Sequence, residues 1–400
     1  MLAPARKDST ATHAIDRPTL QPQVRLLRKS AVFAALAAAL ALGQVARAEE
    51  PVKIGAIEGL SGPIAKYGVA IKNGFDLALD EINAKGDVLP GRKLEILYED
   101  SAGQKEQALN AMKKLLARDR VVAVLGPTLS NEMFAAGPAA VERKIPDIGT
   151  STTANGITDI GEWIFRTAMP EADVIPVTVA TVKKRFNLKR IALMYSNNDA
   201  VSKSGFEIMK AAAEAQGLEI AAIEAFSTTD TDFSAQLTKI KGLNVDGIGV
   251  ATLAEAGAGV LLQARQLGIP SKVVMFGSNG FNSPKVAEIA GKAAEGLIVG
   301  TPWFVGKKDP LNQAFVAAYH KKYGEDPDQF AAQAYDTLFI LAEAITRAGS
   351  TENTKLHEAL LKTDHKGVLG PFRFTAHRDP AATEGIVVLE IKAGKFAPLD

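Results

Sequence analysis

The sequence predicts an α/β protein of two doubly wound lobes, each on a parallel sheet, with a ligand-sized cleft between them. Three observations lead there. From Pro51 onward, short β-branched runs alternate with segments of helical period, the pattern of right-handed βαβ units. The alternation runs once, pauses at "FRTAMPE" (165–171), and runs again over a comparable length. Finally, 400 residues exceed what one hydrophobic core normally organises.

The first series opens with "VKIGAI" (52–57), a strand. A helix follows in which Ile71, Phe75, Ala78, Leu79 and Ile82 share one face at spacings of three and four. "LPGRKLEILYED" (89–100) gives a turn and a strand, "QALNAMKKLLARD" (107–119) a helix, and "VVAVLGP" (121–127) a buried strand. "SNEMFAAGPAAVERK" (130–144) reads as a helix kinked or divided at Pro138, and "IPDIG" (145–149) as a strand.

The second series takes "DVIPVTVATVKKRF" (173–186) as helix, "RIALMYS" (190–196) as strand and "GFEIMKAAAEAQG" (205–217) as helix. "EIAAIEAF" (219–226) is a strand, "FSAQLTKIKG" (233–242) a helix and "DGIGVAT" (246–252) a strand. "AGVLLQARQLG" (258–268) and "KVVMFG" (272–277) add one more helix and strand. Three helices then return over the lobes, at 311–324, 329–349 and 354–363. "GPFRF" (370–374) and "GIVVLEI" (385–391) close as strands. The expected division is a leader at 1–48, a first lobe at 49–168 and 300–370, and a second lobe at 169–299 and 371–400.

The leader has a secretory order: basic "RLLRKS" (25–30), apolar "AVFAALAAALALG" (31–43), then small residues at Ala46 and Ala48. The apolar run is shorter than the ~20 residues a membrane-spanning helix needs. Cleavage is expected after Ala48. Residues 1–48 hold seven Lys/Arg and two Asp, a net +5 against +1 for the whole chain, which leaves −4 beyond the leader. A mildly acidic chain with no basic stripe argues against nucleic acid, whose phosphates require clustered Lys and Arg. The chain has no cysteine. Disulfides, thiolate metal sites, cysteine nucleophiles and a lipid on an N-terminal cysteine are therefore out of reach. The expectation is an unlipidated monomer, free in the periplasm, that needs no cofactor or metal.

Enzymatic motifs are poor. The five histidines (His13, His320, His357, His365, His377) lie in the leader or the last quarter, none after a strand of either series. "HRD" (377–379) lacks the downstream Asn and the glycine-rich loop of a kinase. "GIG" (247–249) and "GAG" (257–259) lack the third glycine of a dinucleotide fingerprint. Asp230 and Asp232 lack the companions of a calcium loop and read as a turn and helix cap. No catalytic residue is assigned.

What remains sits where strands end. "GLSGPIAKYG" (59–68) follows the first strand, "GPTLSNE" (126–132) follows "VVAVL", and "GTSTTANG" (149–156) follows "IPDI". Loops rich in Gly, Ser and Thr at helix N-termini present backbone N–H groups and hydroxyls, a site for an anion such as a carboxylate. Helix capping, with Ser130 as a natural N-cap, explains the same residues equally well.

"VKIGAIEGLSGPIAKYGVAIKNGFDLALDEINAKG", "VVAVLGPTLSNEMFAAGPAAVERKIPDIGTSTT" and "AGKAAEGLIVGTPW" resemble the periplasmic leucine/isoleucine/valine-binding protein family, the solute receptors of branched-chain amino acid ABC transporters. The resemblance runs from about Val52 to near the C-terminus. It implies a hinge of three crossovers, near "FRTAMP", "GTPWF" and "GPFRF", a ligand that bridges the lobes, and an inner-membrane ABC permease as partner. A ligand-sensing receptor of the same fold is the alternative role.

By the same resemblance, Ser130 holds the ligand carboxylate together with Ser151 and Thr153. Tyr67 and Phe330 match the aromatic positions of the ligand site. Two positions depart. The acid that pairs with a ligand ammonium falls on Asn279, and the second-lobe tyrosine falls near Ala200. Glu58, at the end of the first strand, is a candidate substitute for the missing acid, or a rim carboxylate facing solvent. An aromatic or aliphatic acid without an ammonium group is therefore an alternative ligand.

Overall fold

The computed structural model describes residues 50–381 and 385–399. The expected leader over 1–48, with its cleavage after Ala48, lies outside them. Among the described residues no helix is long and apolar enough to cross a membrane.

The first sheet contains β1 (Val52–Glu58), β2 (Leu94–Asp100), β3 (Val124–Leu125), β4 (Asp147–Gly149) and β5 (Ile164–Arg166), all parallel, in the order β2-β1-β3-β4-β5. Between them run α1 (Ala65–Lys85), α2 (Lys105–Lys114) and α3 (Ser130–Arg143). The second sheet repeats the plan. Its strands β6 (Arg190–Ser196), β7 (Glu219–Phe226), β8 (Gly247–Ala251), β9 (Val274–Gly277) and β10 (Ile298–Thr301) lie parallel in the order β7-β6-β8-β9-β10. The helices here are α4 (Glu171–Phe186), α5 (Ala200–Ala215), α6 (Ser234–Lys241), α7 (Ala254–Gln266) and α8 (Pro284–Ala290). This strand order places a topological switch point beside β1 in one sheet and β6 in the other, where open α/β sheets bind ligands.

After β10 come α9 (Pro310–Tyr323), α10 (Gln329–Ala348) and α11 (Asn353–Leu361). The apolar face of α10 lies on α1, and Ile71, Phe75, Leu338 and Leu341 are fully buried in the same core cluster. Each such side chain contributes about 1.5–3 kcal/mol. The contact is close because Gly74 has no side chain: a Cβ there would stand 2.2 Å from the Ala331 carbonyl oxygen.

Two sequence expectations need correction. The helix α3 continues unbroken through Pro138. The ring removes only one donor, that for the carbonyl of Phe134, a residue 38% exposed. "GPFRF" joins neither large sheet: only Pro371–Phe372 (β12) forms a strand, paired with His365–Lys366 (β11). "GIVVLEI" does enter the second sheet, as β13 (Val387–Lys392), which lies antiparallel to β10 and continues into β14 (Lys395–Pro398).

"HRD" has a structural use. Asp379 accepts from Arg166 Nε at 2.7 Å and Nη2 at 2.6 Å, and Arg378 donates to the carbonyls of Ile164 and Thr158. These bonds tie the segment leading to β13 onto the end of β5. Arg166 is buried, so Arg166→Ala strands the Asp379 carboxylate and is expected to lower the unfolding free energy by about 3 kcal/mol in a urea titration. An unchanged midpoint would show that the tie contributes nothing.

Candidate functional site

The site begins with two turns at the carboxyl ends of β3 and β4. Gly126 has φ +95°, and a Cβ there would lie 2.4 Å from the Ile57 carbonyl oxygen, so only glycine lets the chain leave β3 this way. The turn delivers Thr128, Leu129 and the first turn of α3. Sequence reasoning makes Ser130 the N-cap. Instead Leu129 occupies that position, with Glu132 accepting its N–H at 2.9 Å, and Ser130 begins the helix. The hydroxyl of Ser130 is thereby released from capping; it accepts from the Ala154 N–H at 3.3 Å and keeps its own proton to donate.

The loop "GTSTTANG" closes over this helix start. At Gly149 a Cβ would collide with Thr152 Oγ1 at 2.0 Å. The hydroxyls of Thr150, Thr152 and Thr153 are buried and have no hydrogen-bond partner among the described residues. Unpartnered buried hydroxyls are costly, and capping does not account for them. Ser151 differs, since its hydroxyl donates to the Thr128 carbonyl at 2.6 Å.

Ser130, Ser151 and Thr153 line a cavity of about 30 Å³ shared with the second lobe. It gathers Tyr67, Ser130, Ser151, Thr153, Asn279 and Phe330, six of the seven residues expected from the sequence. Thr128, Leu129, Val201, Leu253 and Gly280 complete the wall, and no charged side chain belongs to it. Tyr67 and Phe330 meet edge to face, with ring centroids 4.9 Å apart. The Tyr67 hydroxyl is fully engaged, accepting from the Ala254 N–H at 2.8 Å and donating to the Gly280 carbonyl at 2.9 Å. Tyr67 thus offers the cavity its ring and fastens one lobe to the other. Asn131 does likewise, bonding Asp199 at 3.0 Å and the Ala200 N–H at 2.9 Å.

Two expectations fall elsewhere. Glu58 neither lines the cavity nor faces solvent: it is fully buried behind Thr128, whose hydroxyl donates to it at 2.5 Å. The cause is register, since Glu58 is the last residue of β1 and lies under the Gly126 turn. Ala200 also lies off the wall, where its neighbour Val201 stands instead.

Sequence reasoning missed Glu171. It opens α4 in the second lobe, and its backbone N–H donates to the Thr153 carbonyl at 3.2 Å. Its Oε1 accepts from the Asn279 N–H at 3.0 Å, while Oε2 is buried with no hydrogen-bond partner among the described residues. A Cβ at residue 205 would approach Oε2 to 2.6 Å, so Gly205 makes room for the carboxylate. Desolvation pushes this carboxyl up to about 8, against help from the Asn279 N–H. In the sequence Glu171 looks like any acid in the first turn of a helix. The Asn279 side chain is also committed, its Oδ1 accepting from Gln329 Nε2 at 2.8 Å.

Burial raises several other carboxyls: Glu132 to about 7, Asp328 to about 6, and Glu58 and Asp147 well above the usual range. The folded state therefore holds protons that the unfolded chain releases near pH 4–4.5. The stability these groups contribute is greatest below that range and is lost as pH rises through about 6 to 8. Urea midpoints are expected to fall between pH 5.5 and pH 8.5. A midpoint that rises over this interval would contradict the raised values.

Comparison with known proteins agrees over the whole described region. A family model described as periplasmic binding protein matches residues 51–395. The leucine-, isoleucine-, valine-, threonine- and alanine-binding protein of Pseudomonas aeruginosa is 29% identical over 373 residues, 89% of this chain and 98% of its own. The substrate binding protein LivJ of Streptococcus pneumoniae, solved in complex with isoleucine, is 30% identical with a TM-score of 0.81, covering 86% of this chain and 97% of its own. A solute binding protein of Rhodopseudomonas palustris in complex with benzoate, 23% identical, shares the fold at a TM-score of 0.79 over 87% of this chain and 95% of its own. With two sheets of one strand order, a cavity between them and a family match from residue 51 to 395, the chain belongs to the periplasmic binding protein family, among the leucine/isoleucine/valine-binding proteins.

Proposed function

We propose that this protein is an exported, monomeric, non-catalytic receptor that encloses a small carboxylate between its lobes and hands it to an inner-membrane ABC permease. The observation that carries the reading is the unpartnered Thr153 hydroxyl beside the free proton of Ser130, at the N-terminus of α3, in a cavity without a charged wall. Hydroxyls and a helix N-terminus suit a carboxylate and offer little to a cation. Similarity to proteins named for leucine, isoleucine and valine supports an α-amino acid. The cavity has room for only a water or two as the lobes stand, so a solute enters as they part and is retained as they close.

Within this reading Ser130 and Thr153 donate to the carboxylate, Ser151 shapes the loop through Thr128, and Tyr67 and Phe330 pack on the side chain. Glu171, from the opposite lobe, takes the ammonium role for which Asn279 has no charge. Thermal unfolding of the protein with small acids and their methyl esters tests the proposal. The acids are expected to raise the melting temperature and the esters to leave it unchanged, because an ester cannot take two donated hydrogen bonds as an anion does. Equal shifts from acid and ester would overturn it.

A further inference from the structure

A second cavity, of about 500 Å³, lies apart from the hydroxyl-lined one and has a different chemistry. Its floor is aromatic: Trp303, Phe304, Tyr319 and Phe396 all face it. The volume is in the range of sites that bury drug-sized molecules, about 300–1,000 Å³. Trp303 is held in place, its indole N–H donating to Asn312 at 2.7 Å and its ring meeting Phe315 edge to face. The aromatic surface is therefore preorganised.

The walls come from both lobes. Lys66 and Val69 belong to α1, Ala287 and Glu288 to α8, Phe396 to β14, and Trp303–Val305 to the crossover that leaves β10. Lys66 stands between Glu288, at 3.9 Å, and Glu325, at 3.7 Å, so its charge is already shared. Asp326 and Asp328 add further acid, against Lys395. An anion would meet a surplus of carboxylates here, whereas an uncharged or cationic aromatic group would stack on the rings.

The two cavities also share a wall. Tyr67 and Phe330 face the small one, while their chain neighbours Lys66 and Gln329 face the large one. Gln329 donates to Asn279 at 2.8 Å and accepts from Asn282 at 2.8 Å, one residue on each side.

We infer that this cavity is a second binding site, for a drug-sized aromatic molecule that is uncharged or carries one positive charge, seated on Trp303 and Phe396 and touching both lobes. The inference stands apart from the carboxylate reading, and its test uses no carboxylate ligand. The full chain is titrated with the neutral probe N-phenyl-1-naphthylamine and, separately, with its anionic relative 8-anilinonaphthalene-1-sulfonate, following probe emission. The neutral probe is expected to bind saturably, one per chain, and the sulfonate at least tenfold more weakly. Val69→Trp, at a position 41% exposed, and Ala287→Phe fill the cavity from opposite lobes. Each variant, once its circular dichroism matches wild type, is expected to lose at least tenfold in affinity for the neutral probe. No saturable binding by wild type would overturn the inference. Equal binding of the sulfonate, or wild-type affinity in either folded variant, would overturn it as well.

Discussion

Replacing Ser130 and Thr153 together by alanine is expected to weaken carboxylate binding by about 10²–10⁴-fold while leaving the protein folded. The estimate follows from two hydrogen bonds to a charged group at roughly 1.5–3 kcal/mol each, with about 1.4 kcal/mol per tenfold change. Folding survives because the Thr153 hydroxyl has no hydrogen-bond partner among the described residues and so contributes no bond to lose. Ser130 gives up one acceptor, for the Ala154 N–H, at a cost of about 1 kcal/mol. Calorimetric titration measures the effect, and an affinity equal to wild type would remove the two hydroxyls from the site. Ser151→Ala is expected to act more weakly and through the loop, because its proton already goes to the Thr128 carbonyl.

The second large effect concerns Glu171. Glu171→Gln is expected to cost an α-amino acid at least a hundredfold in affinity and to leave the matching acid without an amino group nearly unaffected. The reasoning is geometric and then electrostatic. The Glu171 carboxylate is bonded to Asn279, and its backbone to Thr153, both of which line the cavity, and its second oxygen has no hydrogen-bond partner among the described residues. An ammonium brought against that oxygen restores the charged form, which burial alone disfavours. With the carboxyl near 8 in the free protein, binding at pH 7 then releases a proton. Calorimetry in two buffers of different ionisation enthalpy reads this directly: the apparent binding enthalpies should differ for the amino acid and agree for the deaminated acid. Equal losses for both ligands in Glu171→Gln would assign Glu171 to the structure of the lobe rather than to the ammonium.

How far the sequence reached depended on the range of the interactions involved. Strand and helix periodicity is local, and it located both lobes, the repeat of one plan in each, and the three helices that return over them, but not the packing of α10 on α1. The loops "GPTLSNE" and "GTSTTANG" were visible as binding loops or helix caps, with nothing in them to decide between the two. What favours binding in the proposed function is the orphaned hydroxyl of Thr153 in the cavity wall, a property of the folded neighbourhood alone. Glu58 and Glu171 exchanged importance for a related reason. One ends a strand beneath a turn and the other begins a helix across the cleft, and linear spacing does not tell which acid bonds to residues that line the cavity. The short pairing of Pro371–Phe372 with His365–Lys366 was likewise invisible, because two-residue strands have no period to read.

The central claim is that the hydroxyl-lined cavity between the lobes holds a carboxylate. Mass spectrometry of small molecules released by denaturing protein purified from cells grown on rich medium tests it most directly. The expected result is a small carboxylic acid at close to one equivalent per chain, absent from the Ser130→Ala/Thr153→Ala protein prepared in parallel. A sugar, polyamine or metal ion released at that stoichiometry, and retained by the double variant, would contradict it.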